Sequence, residues 1–479
     1  MSKEELRDPL MKDNSGIDDY VPVTTAVVVD EDAAEQGRKK HLASTFRTAI
    51  NITKCFVGAA SFELPWAFAE AGAAGGVIGV VVLAILSTFS LQKLARCSSL
   101  VLEQRLAAKQ ATGIMPTYPD VGRAAFGPFG GFLAWFGVVA MSLGVCGSYL
   151  VFICSSLTYL TGWGSQTIWV LLILPLICVL SWVRHVSTFA WTSSFGVFAL
   201  VAAVIIATVD AAQNGHNVTI DWTNEDPDGN YTMPLFKLET YPLFLGNAGY
   251  LYLISTAILP VSQSMSKPKE FQRAFVPSVL FVTVVNVLFG VYAAVRYGGH
   301  VCPTGYNQTN VTLINCVESN VLSNMVPGIL AQVVQWLLVI DLIFTTIVFL
   351  FPLNEAIENA VLARLSKPAP GIANFWASMH TWAVNGLRTL VAIAIAAVAL
   401  GIPIFSLLTG LTGGFGNNIL GFILPPLFYF KLRGSDYWKD QQFRCRRVCE
   451  GISLVVTFSF GLVFLVLTLW SFTVALLNQ

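Results

Sequence analysis

The stretch "GAASFELP", Gly58 to Pro65, lies inside the first long apolar segment of a 479-residue chain and is poorly suited to an uninterrupted membrane helix. Glycine and proline both weaken helical hydrogen bonding, and Glu63 is an ionisable group where hydrocarbon favours leucine. In a bilayer core an unpaired main-chain group is so costly that irregular backbone survives only where it is packed in protein or lines a watery cavity. The stretch therefore predicts a helix that stops before Gly58, resumes after about Phe62, and faces a cavity in between. A half-helix that begins at mid-membrane aims open amides and a partial positive charge at an anion, which suits a carboxylate.

Working outward, 55% of the residues are hydrophobic and 12% are charged, against about 25% charged in an ordinary soluble domain. A soluble protein is excluded on that ground. Eleven apolar runs, near 46–72, 74–95, 129–154, 166–183, 187–209, 239–265, 275–298, 325–352, 386–402, 404–430 and 450–475, approach or exceed the length of a membrane helix. Such a helix needs roughly 20 residues to cross roughly 30 Å of hydrocarbon. The expectation is an all-α integral membrane protein of eleven transmembrane helices. Residues 1–45 are polar and of mixed charge, which reads as a disordered cytosolic tail, and residues 46–479 as one transmembrane domain.

The charges set a topology. With the amino terminus in the cytosol, all but three of the 28 Lys and Arg fall in the tail, in cytosolic loops or at cytosolic ends of spans. The exceptions are Lys54 within the first segment and Lys237 and Arg296 outside. The positive-inside rule favours this orientation, which leaves the carboxyl terminus exterior or lumenal. It also puts the sequons at Asn217, Asn230, Asn307 and Asn310 in two exterior loops. Cys302 and Cys316 share one of those loops, where an oxidising environment predicts a disulfide. The plasma membrane and a vacuolar or lysosomal membrane fit equally well.

A second interrupted run, "YPLFLGNAGYLYLISTAILPVSQSM" from Tyr241, carries Gly246, Gly249, the pair Ser255 and Thr256, and Pro260. Interrupted first and sixth segments in an eleven-span chain predict a 5+5 inverted repeat with one added helix, and a transporter whose site lies where the two breaks meet.

Six stretches carry a resemblance. "KCFVGAASFELPWAFAEAG" from Lys54, "TYPDVGRAAFG" from Thr117, "LSWVRHVSTFAWTS" from Leu180, the sixth segment with "PKEF" after it, "FLFPLNEAIE" from Phe349 and "GFILPPLFYFKL" from Gly421 occur in order. Together they resemble the amino-acid/auxin permease family, nearest its proton-coupled and vacuolar amino-acid transporter branch. The resemblance implies a LeuT-like (APC) fold and carrier-mediated transport of amino acids driven by protons or sodium. It implies that the substrate carboxylate meets main-chain amides at Gly58, Ala59, Ala60 and Ser61, and that the amino group meets carbonyls from about Leu251 to Thr256. Tyr250, Tyr252, Ser255 and Thr256 would then border the substrate. One departure matters: the proton-coupled branch has a glutamate after the aromatic of segment six, and here Leu253 follows Tyr252.

An ion-coupling role therefore falls to other groups. Charge within the membrane costs at least about 2.5 to 3.5 kcal/mol, so each instance needs a partner or a purpose. Glu63 on the first break could occupy the same cavity as the missing carboxylate and exchange a proton there; the alternative is that it accepts hydrogen bonds and only fixes the break. Lys54, one turn before Gly58, would neutralise the negative end of the first half-helix, pair with a cytosol-side carboxylate, or gate the inner exit. In sodium-coupled carriers of the fold that the resemblance implies, hydroxyls on span eight complete a sodium site, so Asp341, with Thr345 and Thr346 one turn on, would offer oxygen ligands to sodium, or else bond to a neighbouring helix. No phosphate loop, metal-ligand spacing or hydrolase elbow is present, so neither an enzyme nor a cofactor or metal is expected. A lipid-embedded monomer without nucleic-acid partners is the expected form. A nutrient sensor that binds amino acids with little transport is the competing reading.

Endoglycosidase digestion of the expressed protein should produce a mobility shift. Substituting Gln at Asn217, Asn230, Asn307 and Asn310 together should abolish it, whereas Asn51→Gln, in a sequon inside the first segment, should leave it intact.

Overall fold

The structure is a computed structural model, which describes residues 44–56, 58–107, 116–183, 190–215, 219–221, 232–263, 265, 270–302, 316–362, 373–439 and 444–477. The amino-terminal tail to residue 43, the four sequon asparagines and the turn at 184–189 lie outside the described residues. In chain order the elements begin with α1 (Thr45–Phe56), α2 (Ala60–Ala71), α3 (Ala73–Ala107), α4 (Tyr118–Thr161), α5 (Gln166–Ser181) and α6 (Ala190–Asn214). They continue with strands β1 (Thr219–Asp221) and β2 (Thr232–Pro234), then α7 (Tyr241–Leu251), α8 (Ile258–Gln263), α9 (Phe271–Arg296) and α10 (Ile329–Leu362). The last are α11 (Ala373–Gly401), α12 (Phe405–Leu411), π-helical turns at Thr412–Asn417 and Ile419–Ile423, α13 (Leu424–Lys439) and α14 (Arg444–Leu477). Among the described residues eight helical stretches are long and apolar enough to span a membrane. The 16-residue α5 is a shorter apolar helix, and the first and sixth segments are each divided in two.

Both interruptions are present, and both differ in detail from the expectation. The first falls between Phe56 and Ala60, and α2 already holds Glu63 in its first turn. Ser61 N–H donates to Gly58 O at 3.0 Å and Phe62 N–H to Ala59 O at 3.1 Å, so the new helix starts two residues earlier than expected. Pro65 sits inside α2, where its missing N–H leaves the Ser61 carbonyl without an i+4 donor. The second interruption runs from Tyr252 to Ala257. Gly246 and Gly249 do not make it, because both lie within α7. They are contact glycines instead: a Cβ on Gly246 would stand 2.6 Å from Gly410 O, and one on Gly249 would stand 2.9 Å from Phe464 Cζ.

The interrupted segments occupy the centre. Every residue of α2 from Ala60 to Ala71 is buried, as a helix that carries a carboxyl and lacks a backbone donor requires. Around it pack α7 and α9, and α9 also supports α1. α7 is held in turn by α12, the first π-helical turn and α14. A second group is formed by α4 with α6, α10 and α11, while α5 packs on α4 and α11. Thr117 and Asp120 form a capping box that starts α4, which then bends at Gly127 with φ of 65°. β1 and β2 pair in parallel, with Thr219 opposite Thr232. The chain after β2 covers the α2–α3 turn: Leu235 O accepts from Ala74 and Gly75 N–H, and Lys237 pairs with Glu70 at 3.3 Å.

One buried cation was not anticipated. Arg388 of α11 donates to Glu358 of α10 at 2.6 Å and to the Ser181 and Val183 carbonyls at 2.8 and 3.0 Å. It therefore serves as the charge-bearing cap of α5.

Gly246→Ala should lower the apparent melting temperature in detergent, because the added methyl meets the Gly410 backbone and overpacking costs about 1 to 3 kcal/mol. Gly386→Ala, where a Cβ has nothing within 4 Å, should leave it unchanged or raise it through helix propensity.

Candidate functional site

Helices α2, α7 and α12 meet at one hydroxyl. Thr409 Oγ1 of α12 lies 2.5 Å from Glu63 Oε1 and 3.0 Å from Asn247 Oδ1, and also 2.8 Å from the Phe405 carbonyl and 3.2 Å from that of Ser406. Glu63, Asn247 and Thr409 are 1%, 3% and 0% exposed, so this contact is shielded from solvent. One hydroxyl proton cannot serve four acceptors. Two arrangements satisfy the Glu63 contact, and neither leaves a proton for Asn247 Oδ1. Either Thr409 donates to an ionised Glu63, or a protonated Glu63 donates to Thr409 Oγ1, which then donates to the Phe405 carbonyl.

Near this contact, four buried side-chain atoms have no hydrogen-bond partner: Ser61 Oγ, Glu63 Oε2, Asn247 Nδ2 and the Tyr250 hydroxyl. An unpaired buried polar atom costs about 1 to 3 kcal/mol, and these four lie together on two adjoining segments, while others are scattered at Ser90, Ser156, Gln335, Asn354, Asn385, Asn418 and Thr468. The set holds three donors and one carboxylate oxygen. Such a set can receive a group that bears both an anion and a cation. The Tyr250 hydroxyl lies among Ser148, Tyr149 and Glu63, although no contact there has hydrogen-bonding geometry. Tyr149 borders the first break: a Cβ on Gly58 would stand 3.9 Å from its hydroxyl. Gly58 is absent from the residues with positive φ, so it does not supply a left-handed turn.

The expected site residues divide into several groups. Gly58, Ala59, Ala60 and Ser61 form the first break and the opening of α2, with the Ser61 amide engaged by Gly58 O. Tyr250 joins Glu63 as described. Tyr252 is directed elsewhere: its hydroxyl lies 2.9 Å from Thr283 Oγ1 and 3.3 Å from the Val80 carbonyl, and its ring meets Phe56 edge-on. It joins the break to α3 and α9. Ser255 faces the tenth span, where its hydroxyl donates to Asn417 Oδ1 at 2.6 Å, and Thr256 is half-buried in the break.

Of the proposed cation ligands, Asp341 and Thr345 meet and Thr346 turns to its own helix. Asp341 is buried on α10 with Thr345 Oγ1 at 3.5 Å, and it fills the space that a side chain on Gly196 of α6 would need. The Thr346 hydroxyl donates to Leu342 O of its own helix at 2.7 Å. Lys54 belongs to α1, and its side chain lies outside the described set. Cys302 and Cys316 form the expected disulfide.

Sequence reasoning missed Thr409, Asn247, Asn417 and Tyr149. Asn247 sits inside the quoted sixth segment and, as an amide in an apolar run, was open to notice. Thr409 and Tyr149 gave no signal, because a lone Thr or Tyr in a spanning helix is usually satisfied by its own backbone or by packing.

Comparison with known proteins gives a consistent assignment. The family profile described as "Transmembrane amino acid transporter protein" matches residues 41–472. Amino acid transporter ANT1 of Arabidopsis thaliana is 26% identical over 82% of this chain and 86% of that protein. Amino acid transporter AVT3B of the same plant is 23% identical over 89% and 95%. Vacuolar amino acid transporter 4 of Saccharomyces cerevisiae is 22% identical over 88% of this chain, which spans 58% of the yeast protein. A solved structure of a Na+-coupled sialic acid symporter, in a substrate-bound outward-open state, superposes with a TM-score of 0.52 over 88% of this chain and 90% of that chain. At 12% identity that likeness is one of fold alone, the LeuT-like fold. With its profile matched from residue 41 to residue 472, this integral membrane protein belongs to the transmembrane amino acid transporter family.

Proposed function

We propose that the protein is a secondary active transporter that moves amino acids across a membrane by alternating access, coupled to protons through Glu63. The carrying observation is the Glu63–Thr409–Asn247 contact with its adjoining unpaired donors and carboxylate oxygen. A zwitterion supplies both complements: its carboxylate takes the donors together with the open end of α2, and its ammonium group takes Glu63 Oε2 and the carbonyls of the second break. The two proton arrangements at Thr409 give Glu63 a partner in either charge state. Such a carboxyl can load and release a proton without abandoning its surroundings. Relatives named as amino acid transporters support the substrate class.

The amino terminus is assigned to the cytosol, a reading supported by the charge distribution and by the Cys302–Cys316 disulfide in a loop facing an oxidising compartment. The yeast relatives named as vacuolar favour an internal acidic compartment over the plasma membrane. Sodium coupling through Asp341, Thr345 and Thr346 is the second reading, supported by the buried Asp341 carboxylate with Thr345 Oγ1 at 3.5 Å.

Proteoliposomes with imposed proton or sodium gradients and a panel of labelled amino acids test this directly. Wild type should accumulate amino acid when a proton gradient is imposed. Glu63→Gln should reduce gradient-driven uptake at least about tenfold while retaining exchange of labelled for unlabelled amino acid, which requires no net proton movement. Unchanged acid stimulation in a well-expressed variant would remove Glu63 from coupling. Binding without any uptake by wild type would identify a sensor instead.

A further inference from the structure

The interruption from Tyr252 to Ala257 is tied to the end of α7 from outside by one side chain. Asn417, the last residue of the first π-helical turn, is 1% exposed. Its Nδ2–H donates to the Gly249 carbonyl at 2.9 Å, and its Oδ1 accepts from Ser255 Oγ at 2.6 Å. Gly249 belongs to the last turn of α7 and Ser255 to the non-helical connection, so the amide ties the end of α7 to the connection that follows it. The orientation of the amide follows from its partners, because only the NH2 end can face a carbonyl.

Asn417 stands on a rigid platform. A π-helical turn widens the helix and misplaces main-chain carbonyls, which must find other donors in a dry interior. Here Tyr118 donates to Leu420 O at 2.5 Å, and Asn418 Nδ2 lies 3.1 Å from Gly414 O and 2.9 Å from Gly461 O. Gly413, in the same turn, lies so close to Gly246 O and the Tyr250 amide that no side chain fits between them. The tenth span and α7 are thus in backbone contact immediately beside the Asn417 amide.

We infer that Asn417 is a positioning residue: by fixing Gly249 relative to Ser255 it holds the second break in its non-helical shape and orients the carbonyls from Leu251 to Thr256. Both ends of its amide are engaged by the protein, so it acts through the break and does not contact substrate. The inference rests on the break being the amino-group site, as proposed above.

Two measurements on the full chain test it separately. In proteoliposomes, Asn417→Ala should raise KM for the transported amino acid at least about tenfold with Vmax within about threefold, as expected when a buried bond that orients binding groups is lost. Asn417→Asp, which places a carboxylate oxygen against Gly249 O, should be no better than Ala. Ser255→Ala, which removes one of the two bonds, should give a smaller rise. In hydrogen exchange without substrate, amides from 250 to 258 should exchange at least about tenfold faster in Asn417→Ala, with 60–71 unchanged. An unaltered KM, equal acceleration in both segments, or unaltered exchange at 250–258 would overturn the inference. If wild type transports nothing, the transport reading fails, and the exchange result alone decides whether Asn417 holds the break.

Discussion

Main-chain groups released by an interrupted helix cannot face lipid, and most of this architecture follows from that constraint. Every residue of α2 is buried, and α7 is enclosed by α2, α12, the π-helical turn and α14. Such close enclosure needs contacts without side chains between them. Gly246 and Gly249 on α7 therefore face Gly410, Gly413 and Phe464 across the contact. The glycines of the sixth segment serve the packing around the break, and the break itself falls a few residues later.

The enclosure brings a carboxyl, an amide and a hydroxyl from three distant parts of the chain into one dry contact. Glu63 and Thr409 are 346 residues apart in sequence. In a low-dielectric interior such a bond is strong when made and costly when lost. Thr409 can act as donor or acceptor toward Glu63, with the Phe405 carbonyl ready to take its proton in the second case. The tenth span meets both interrupted segments in this way: through Thr409 at Glu63 and through Asn417 at the α7–α8 connection. Movement of that span would be felt at both.

Several features were legible because they oppose the surrounding pattern. A glycine, a proline and a glutamate in an apolar run announced the first break, and two cysteines sharing one loop announced the disulfide that they form. Tyr252 and Ser255 were legible as members of a break, and their directions were not: one faces Thr283 and Val80, the other Asn417. Asp341 was visible as a charge in a span, and its neighbour Gly196 was not. Hydroxyl and amide side chains within spans form hydrogen bonds of either kind, to their own helix or to another, and periodicity cannot distinguish them.

Composition and the order of apolar runs determined that this chain is a helical membrane protein with discontinuous first and sixth segments, because hydrocarbon thickness and backbone hydrogen bonding leave no other solution. Local residue types also determined that Glu63 requires a partner. Which partner it has was decided by tertiary structure alone. The approach of α12 to α2 depends on helix contacts formed by residues hundreds of positions apart, and no local rule specifies that a threonine at 409 will stand 2.5 Å from a glutamate at 63.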